Sequence, residues 1–256
     1  MIRIALCGAL GRMGQAISDA ISQQNDMQLS SAIESSNHLG LGTRLRDVRV
    51  VSSLEQVIYT ADVVVDFTNP SVTVQHAELA AKNRKPFVTG TTGLSGEQHA
   101  VLEAASKIIP MVVAPNMSVG VNLMYKLVEN AARTLGVEFD VEIIEAHHRF
   151  KKDAPSGTAA KLADLLAKIY TDSAVIYGRK GMIGERPANQ IAVHAIRGGD
   201  VVGEHTVVFA GIGERVEITH RAHSRATFAN GAIRAIRFVM DKSPGIYTMD
   251  NVLDLN

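Results

Sequence analysis

Residues 2–7 (IRIALC) form a short apolar run, and Gly8, Gly11 and Gly14 follow it at once and open a stretch of helical spacing over 11–24. A strand that turns sharply into a helix, with the helix's first amides aimed at a pyrophosphate, needs positions without side chains at the turn. Glu34 closes the next strand-like run, 28–33, and stands 20 residues after Gly14. A carboxylate there can accept hydrogen bonds from an adenosine ribose. The spacing is G-x-x-G-x-x-G, with Leu10 where the usual dinucleotide fingerprint has its second glycine. The start of the chain therefore predicts a βαβ unit with a nucleotide-binding turn; a purely structural turn beside a solvated Glu34 is the alternative.

The same alternation continues. Strand-like runs at 62–67, 86–89 and 111–114 are separated by helical spacing of Val, Ala and Leu at 71–83 and 95–107, which predicts a mostly parallel sheet. The stretch 36–50 has no clear period and reads as loop with a short strand. Two loops after predicted strands, Gly90-Thr91-Thr92-Gly93 and Ala114-Pro115-Asn116-Met117-Ser118, fall at the sheet edge where ligands of open α/β sheets bind. Beyond residue 118 the pattern changes: a helix at 119–135, a strand at 140–147, a helix at 157–170, and a polar loop to about 188. Strands follow at 191–197, 201–209 and 215–220, then a helix at 228–240 placed to return to the first domain. Strands clustered without intervening helices predict a mixed or antiparallel sheet. The fold class expected is α/β, a Rossmann-like domain joined to a second, α+β domain with a mixed sheet.

Lys plus Arg and Asp plus Glu are 26 each, so no basic field predicts nucleic-acid binding. The one cysteine, Cys7, excludes an intrachain disulfide framework and multi-cysteine metal sites, and within the first strand it reads as a small buried residue. The apolar run at the N-terminus is too short for a signal-peptide core or a membrane span, so the expectation is a cytoplasmic chain without membrane contact. No G-x-S-x-G elbow offers a hydrolase nucleophile.

The segment EAHHRFKKDAPSGTA, 145–159, concentrates chemistry. Glu145, His147, His148, Arg149, Lys151, Lys152 and Asp153 crowd the end of a predicted strand and the loop after it, and Ser156-Gly157-Thr158 opens a helix. Free amides at a helix N-terminus suit a substrate carboxylate. His and Lys are both candidates for proton transfer or for pairing with a second carboxylate. A zinc site from Glu145, His147 and His148 is disfavoured, because adjacent residues on a strand point to opposite faces. The run Arg197-Gly198-Gly199-Asp200 reads as a hairpin turn.

GALGRMG at 8–14, DFTNP at 66–70, GTTG at 90–93, APNMSVG at 114–120 and EAHHRFKKDAPSGTA occur in an order that resembles the 4-hydroxy-tetrahydrodipicolinate reductase family. RGGDVVGEHTVVFAG at 197–211 and ATFANGAIRA at 226–235 extend the resemblance to essentially the whole chain. It implies an NADH- or NADPH-dependent oxidoreductase of diaminopimelate and lysine biosynthesis that reduces a small heterocyclic dicarboxylate, and a homotetramer. It implies a dinucleotide-binding domain of residues 1–118 with 226–256, and a substrate-binding and tetramerisation domain of 119–225. Cofactor contacts would come from Gly8, Ala9, Leu10, Gly11, Arg12 and Met13, from Glu34, from Gly90, Thr91 and Thr92, and from Ala114, Pro115, Asn116 and Met117. His147 and Lys151 match the catalytic positions, and His148, Lys151, Gly157 and Thr158 the substrate-binding ones. No metal is implied. Two departures stand out: Phe150 replaces a histidine common in the family, and Ser35 replaces an arginine that can meet the 2′-phosphate of NADPH, which tilts the expectation toward NADH. The rival readings are another small imine reductase and a non-enzymatic nucleotide sensor, which would have no use for the His/Lys/PSGT segment.

Overall fold

The computed structural model describes residues 1–255. The chain divides into two compact units, Met1–Val119 with Arg225–Asn256, and Gly120–Ser224. In chain order the first stretch contains β1 (Ile2–Cys7), α1 (Arg12–Ser22), β2 (Met27–Ile33), β3 (Arg44–Leu45), β4 (Val48–Val51), β5 (Val63–Asp66), α2 (Pro70–Lys82), β6 (Phe87–Thr89), α3 (Gly96–Ser106) and β7 (Pro110–Val113). The middle holds α4 (Val119–Leu135), β8 (Asp140–His147), α5 (Gly157–Ile169), β9 (Ala174–Tyr177), β10 (Gln190–Arg197), β11 (Gly203–Ala210) and β12 (Arg215–Ala222). The end supplies α6 (Ala226–Met240), β13 (Gly245–Tyr247) and α7 (Met249–Leu253).

In the first unit the strands run in the order β13-β7-β6-β5-β1-β2-β4-β3. All pairs are parallel except the terminal hairpin of β3 with β4. The order reverses between β1 and β5, the switch point beyond whose strand ends such sheets bind ligands. β5, Val-Val-Val-Asp, is buried at every residue, as a central parallel strand covered on both faces requires. One face packs Ile4, Leu6, Val63 and Val65 with Ile17 and Ile21 of α1 and Ile233 and Ile236 of α6. The other packs Val64, Phe87 and Met111 with Ala77 and Ala80 of α2 and Leu102 of α3. The helix starts are chemically marked. Asn69 caps α2 through the Val72 amide at 3.2 Å with Pro70 at the first helical position, and Ser95 with Gln98 forms a reciprocal capping box on α3.

The stretch 36–50 departs from its expected single short strand and forms the β3–β4 hairpin, turning through Arg46 at φ 54°. β13 was not expected either. Elements of two to four residues are too short to show a period and gain their definition from the strand they pair with.

In the second unit the sheet order is β12-β11-β8-β10-β9. β8 pairs parallel with β10 and antiparallel with β11, so the sheet is mixed, as expected. β9, within the stretch expected to be polar loop, adds a parallel edge to β10. α4 and α5 cover one face, where Met124, Val128, Leu162 and Leu166 pack on Val141, Ile143, Val207 and Phe209. By strand alternation the other face carries Glu142, Ile144, His194 and Ile196, and Ile144 and Ile196 are exposed. Glu142 accepts from Arg179, Arg186 and His194 at 2.7–3.1 Å. Burial pushes its carboxyl up, but these donors outweigh burial and hold it at about 2, fastening the loop before β10 to the sheet.

Candidate functional site

In the first unit the loops after β1, β2 and β5 enclose a cavity of about 540 Å³ lined by Gly8, Gly11, Glu34, Ser35, Ser36, Thr68, Asn69, His76 and their neighbours. A Cβ on Gly8, whose φ is 74°, would stand 2.4 Å from the Phe67 carbonyl oxygen, and one on Gly14 would stand 2.1 Å from that of Gly8. Any side chain at these positions would fill the turn, so the cradle fits a pyrophosphate approaching the start of α1. Glu34 is pinned to the same turn, accepting from the Leu10 amide at 3.0 Å and the Ser35 amide at 2.9 Å. These residues fit an adenosine dinucleotide with a ribose against Glu34.

The remaining expected cofactor residues lie at the same sheet edge but off that cavity wall. Ala9 is buried, its side chain in the core and its amide donated to the Ile33 carbonyl. Arg12 is exposed at the first turn of α1, and Met13 packs half-buried on the core. Gly90 presses on the Phe67 ring, where a Cβ would come within 2.2 Å. Thr91 is buried, whereas Thr92 is exposed. In the loop after β7, Ala114 and Met117 are core residues, Pro115 is exposed, and Asn116 accepts from the Ser118 amide at 2.9 Å.

The DFTNP stretch had no assigned role in the sequence, yet its Phe67, Thr68 and Asn69 line the cavity. Asp66 is fully buried and accepts from Thr73 at 2.6 Å, Thr68 at 3.0 Å and Thr91 at 3.2 Å, with His76 Nδ1 at 2.6 Å. This carboxylate binds the loops after β5 and β6 to α2, fixing Thr68 and His76 at the wall. Cys7 lies beside it, fully buried, with burial first and the Asp66 charge second pushing its thiol well up. A thiol so placed is inert, as the sequence suggested.

In the second unit, strand alternation puts Glu145 and His147 on the face of β8 that meets α5. His147 Nδ1 lies 2.6 Å from Glu145 Oε2, and the Ser156 amide donates to Oε1 at 3.0 Å. Ser156 is the N-cap of α5, its Oγ accepting from the Ala159 amide at 3.2 Å. Gly157 and Thr158 are therefore the first residues of a helix whose leading amides have no carbonyl partner within it. Tyr125 hydrogen-bonds to Thr158, and burial pushes its phenol up to about 12, so it keeps its proton at any ordinary pH. Lys151 Nζ pairs with Asp153 at 2.9 Å, and its amide donates to the His148 carbonyl at 3.1 Å. The His148 amide in turn donates to Val201 at 2.7 Å, and its ring lies 6.3 Å from that of Phe150. His147, His148, Lys151, Gly157 and Thr158 thus occur on one strand end, one loop and one helix start.

Burial pushes the His147 pKa down, and the charges of Lys151 and Arg197 add to this, outweighing the Glu145 carboxylate that raises it. The ring is neutral at pH 7. Two participants had no role in the sequence reading. Arg197 grips Glu145 with both terminal nitrogens at 2.8 Å. His205 reaches Ser156 Oγ at 2.9 Å and stands edge-on to His147 with ring centroids 5.2 Å apart. Glu145 was expected within the same polar cluster, and as a ligand in the disfavoured zinc reading, but with no partner assigned to it.

His205 gives the unit an acid-sensitive joint. It is 4% exposed, and burial first, then the His147 charge, push its pKa down to about 4 from an ordinary 6.5. Between these values the unfolded chain binds a proton that the folded one refuses. Stability is therefore full above about pH 6.5 and lost as pH falls toward 4, by about 2 kcal/mol between pH 7 and pH 5. His147 and His220 titrate in the same direction, whereas the contributions of Glu142 and Glu145 are lost only at lower pH, below the ordinary carboxylate value. Urea unfolding at pH 7 and pH 5 should show this slope, and His205→Gln should flatten it. A variant with the wild-type slope would show that His205 is not its source.

The model of the family described as "Dihydrodipicolinate reductase, N-terminus" matches residues 2–117, and that of "Dihydrodipicolinate reductase, C-terminus" matches 120–253. The chain is 46% identical to 4-hydroxy-tetrahydrodipicolinate reductase of Syntrophobacter fumaroxidans over all of both chains. It is also 46% identical to the protein of that name from Methanocaldococcus jannaschii, over all of this chain and 98% of the other. Among solved structures, the dipicolinate-bound dihydrodipicolinate reductase from Paenisporosarcina sp. TG-14 superposes with a TM-score of 0.80 at 28% identity, covering 98% of each chain. An amine dehydrogenase from Mycobacterium smegmatis shares the fold at 15% identity, with a TM-score of 0.66 over 98% of this chain and 95% of that one.

Proposed function

The chain belongs to the dihydrodipicolinate reductase family, and from that premise we propose a division of labour between its two units. It is an NAD(P)H-dependent oxidoreductase of diaminopimelate and lysine biosynthesis. Its reaction is the reduction of the dihydrodipicolinate-type intermediate formed from 4-hydroxy-tetrahydrodipicolinate to tetrahydrodipicolinate. The unit of 1–118 and 226–256 binds the dinucleotide, and 119–225 binds the substrate. When bound, the nicotinamide cofactor supplies the hydride.

Gly8, Ala9, Leu10, Gly11, Arg12 and Met13 surround the pyrophosphate turn, and Glu34 accepts from the adenosine ribose. Gly90, Thr91, Thr92, Ala114, Pro115, Asn116 and Met117 line the nicotinamide side. In the other unit the amides of Gly157 and Thr158 hold one substrate carboxylate, and His148 and Lys151 neutralise charge on the dicarboxylate. Lys151 and His147 handle the proton that accompanies the hydride. Holding both reactants in place and neutralising two carboxylates lowers the barrier before any proton moves. The observation that carries this reading is that one carboxylate, Glu145, is bonded both to His147 and to the N-cap of α5.

The proposed homotetramer would find two exposed apolar side chains, Ile144 and Ile196, beside Glu142 and His194 on the sheet face opposite α4 and α5. A cytoplasmic location is part of the proposal; among the described residues no helix is long and apolar enough to cross a membrane.

Among the described residues no Lys or Arg lines the cavity beside Glu34, and Ser35 would be the neighbour of a 2′-phosphate on the proposed ribose site. NADH is therefore expected to serve at least as well as NADPH. Coupling the synthase that condenses pyruvate with aspartate semialdehyde to this protein, and following reduced-cofactor absorbance, tests both points. Ser35→Arg should raise kcat/KM for NADPH relative to NADH by about two- to fivefold, one added ion pair at an exposed site. Cofactor binding without turnover would instead favour the nucleotide-sensing reading.

A further inference from the structure

Glu145 is fully buried, and a carboxylate in that position is costly unless it is paired and hydrogen-bonded. Four donors converge on it. Oε2 receives His147 Nδ1 at 2.6 Å and Arg197 Nη1 at 2.8 Å, and Oε1 receives the Ser156 amide at 3.0 Å and Arg197 Nη2 at 2.8 Å. Burial pushes the carboxyl up, but the Arg197, His147 and Ser156 hydrogen bonds outweigh it and keep Glu145 ionised. An ionised carboxylate only accepts, so Nδ1 of His147 is the donor and Nε2 of the neutral ring holds the lone pair. The other terminal N–H groups of Arg197 donate to the carbonyls of Asp153 and Ile196, both at 2.7 Å, and the Asp153 contact binds the 148–156 loop to β10.

Resting on the assignment of His147 to the reaction, we propose that Glu145, clamped by Arg197, is the positioning residue of this site. It fixes His147 as the Nδ1-protonated tautomer with Nε2 presented as an acceptor. Through the Ser156 amide, it also sets the start of α5 relative to that ring. One carboxylate thus aligns the proton-handling group with the amides that hold the substrate. The groups facing His147 are Glu145 on its own strand, Lys151 on the loop, Arg197 on β10 and His205 on β11, with the Gly203 backbone beside Nε2. Glu145 is the one anion among them, so its removal takes away the stabilisation of imidazolium and leaves the opposing cations.

The test is nitrogen NMR of the full-length, histidine-labelled protein across pH, with the His147 signal assigned by its loss in His147→Gln. The wild type should show the Nδ1-protonated tautomer at neutral pH. Glu145→Gln should mix the tautomers, lower the His147 pKa by about one unit or more, and reduce kcat/KM at least tenfold with cofactor affinity unchanged. A merely structural Glu145 would lower stability and leave the titration of His147 where it was, and that result overturns the proposal. An Nε2-protonated ring in the wild type overturns it as well, even if Glu145→Gln fails to fold. The expected tautomer in a wild type that shows no turnover would support the Glu145 assignment and fault the reductase reading instead.

Discussion

Lys151→Ala is expected to lower kcat by about two to four orders of magnitude, equivalent to about 3–5 kcal/mol of barrier. The dissociation constant of the reduced cofactor should not change. Lys151 is partly buried, fixed through its amide to His148 and through Nζ to Asp153, at the end of the strand that carries His147. In the proposed reaction its Nζ stands beside the anionic substrate and the group that exchanges a proton with it. His147→Ala should cost a similar factor, and the double variant should lose less than the product of the two, because residues acting on one proton transfer are not independent. Lys152→Ala is the control: its side chain is exposed, and turnover should persist. Steady-state and single-turnover rates decide the matter, and near-normal turnover in Lys151→Ala would remove Lys151 from the chemistry.

Gly14→Ala is expected to be nearly as damaging in the other unit. The added methyl would stand 2.1 Å from the Gly8 carbonyl oxygen and 2.6 Å from that of Ala9. Both obstacles are backbone of the turn that would hold the pyrophosphate, so relief must come from moving α1 or the turn itself. Overpacking of this kind costs about 1–3 kcal/mol or more, equivalent to a fall in Tm of roughly 5–10 °C for a unit of this size. Cofactor affinity should fall at least tenfold, because relief displaces the amides that define the cradle. Gly96→Ala makes the matching control, since nothing lies within 4 Å of its Cβ position and it begins α3 without strain. Calorimetry and cofactor titration distinguish the two, and an unaffected Gly14→Ala would mean that the turn is looser than its geometry implies.

Elements with a full period of their own were legible before folding. β1, α4 and β8 occupy the predicted residues, because alternation or helical spacing in each is long enough to state its own conformation. β9 and β13 were not, since four and three residues respectively become strands only by lying against β10 and β7. The site divides along the same line. His147, Lys151 and the PSGT helix start announce themselves by local chemistry. Arg197 is separated from Glu145 by 52 positions and sits in what reads locally as a hairpin. His205 reaches Ser156 from 49 positions away. Asp66, although inside a recognised motif, owes its part to threonines from two other segments. Gly90 is a further case: its need to be glycine is set by the ring of Phe67, which no local rule reveals.

The unit built on β1 is interrupted in the chain, and this imposes an order on its making. Its N-terminal portion ends at Val119, yet its hydrophobic cluster depends on Ala229, Ile233 and Ile236 of α6, and its sheet edge on β13. During synthesis at roughly 5–20 residues per second, the whole intervening unit is translated while Ile17, Ile21 and their neighbours await a covering helix. The portion that emerges first is the last to be finished. A truncation or stalled chain that stops short of residue 226 leaves this apolar cluster without α6, so completion of the unit waits on a helix encoded near the end of the chain.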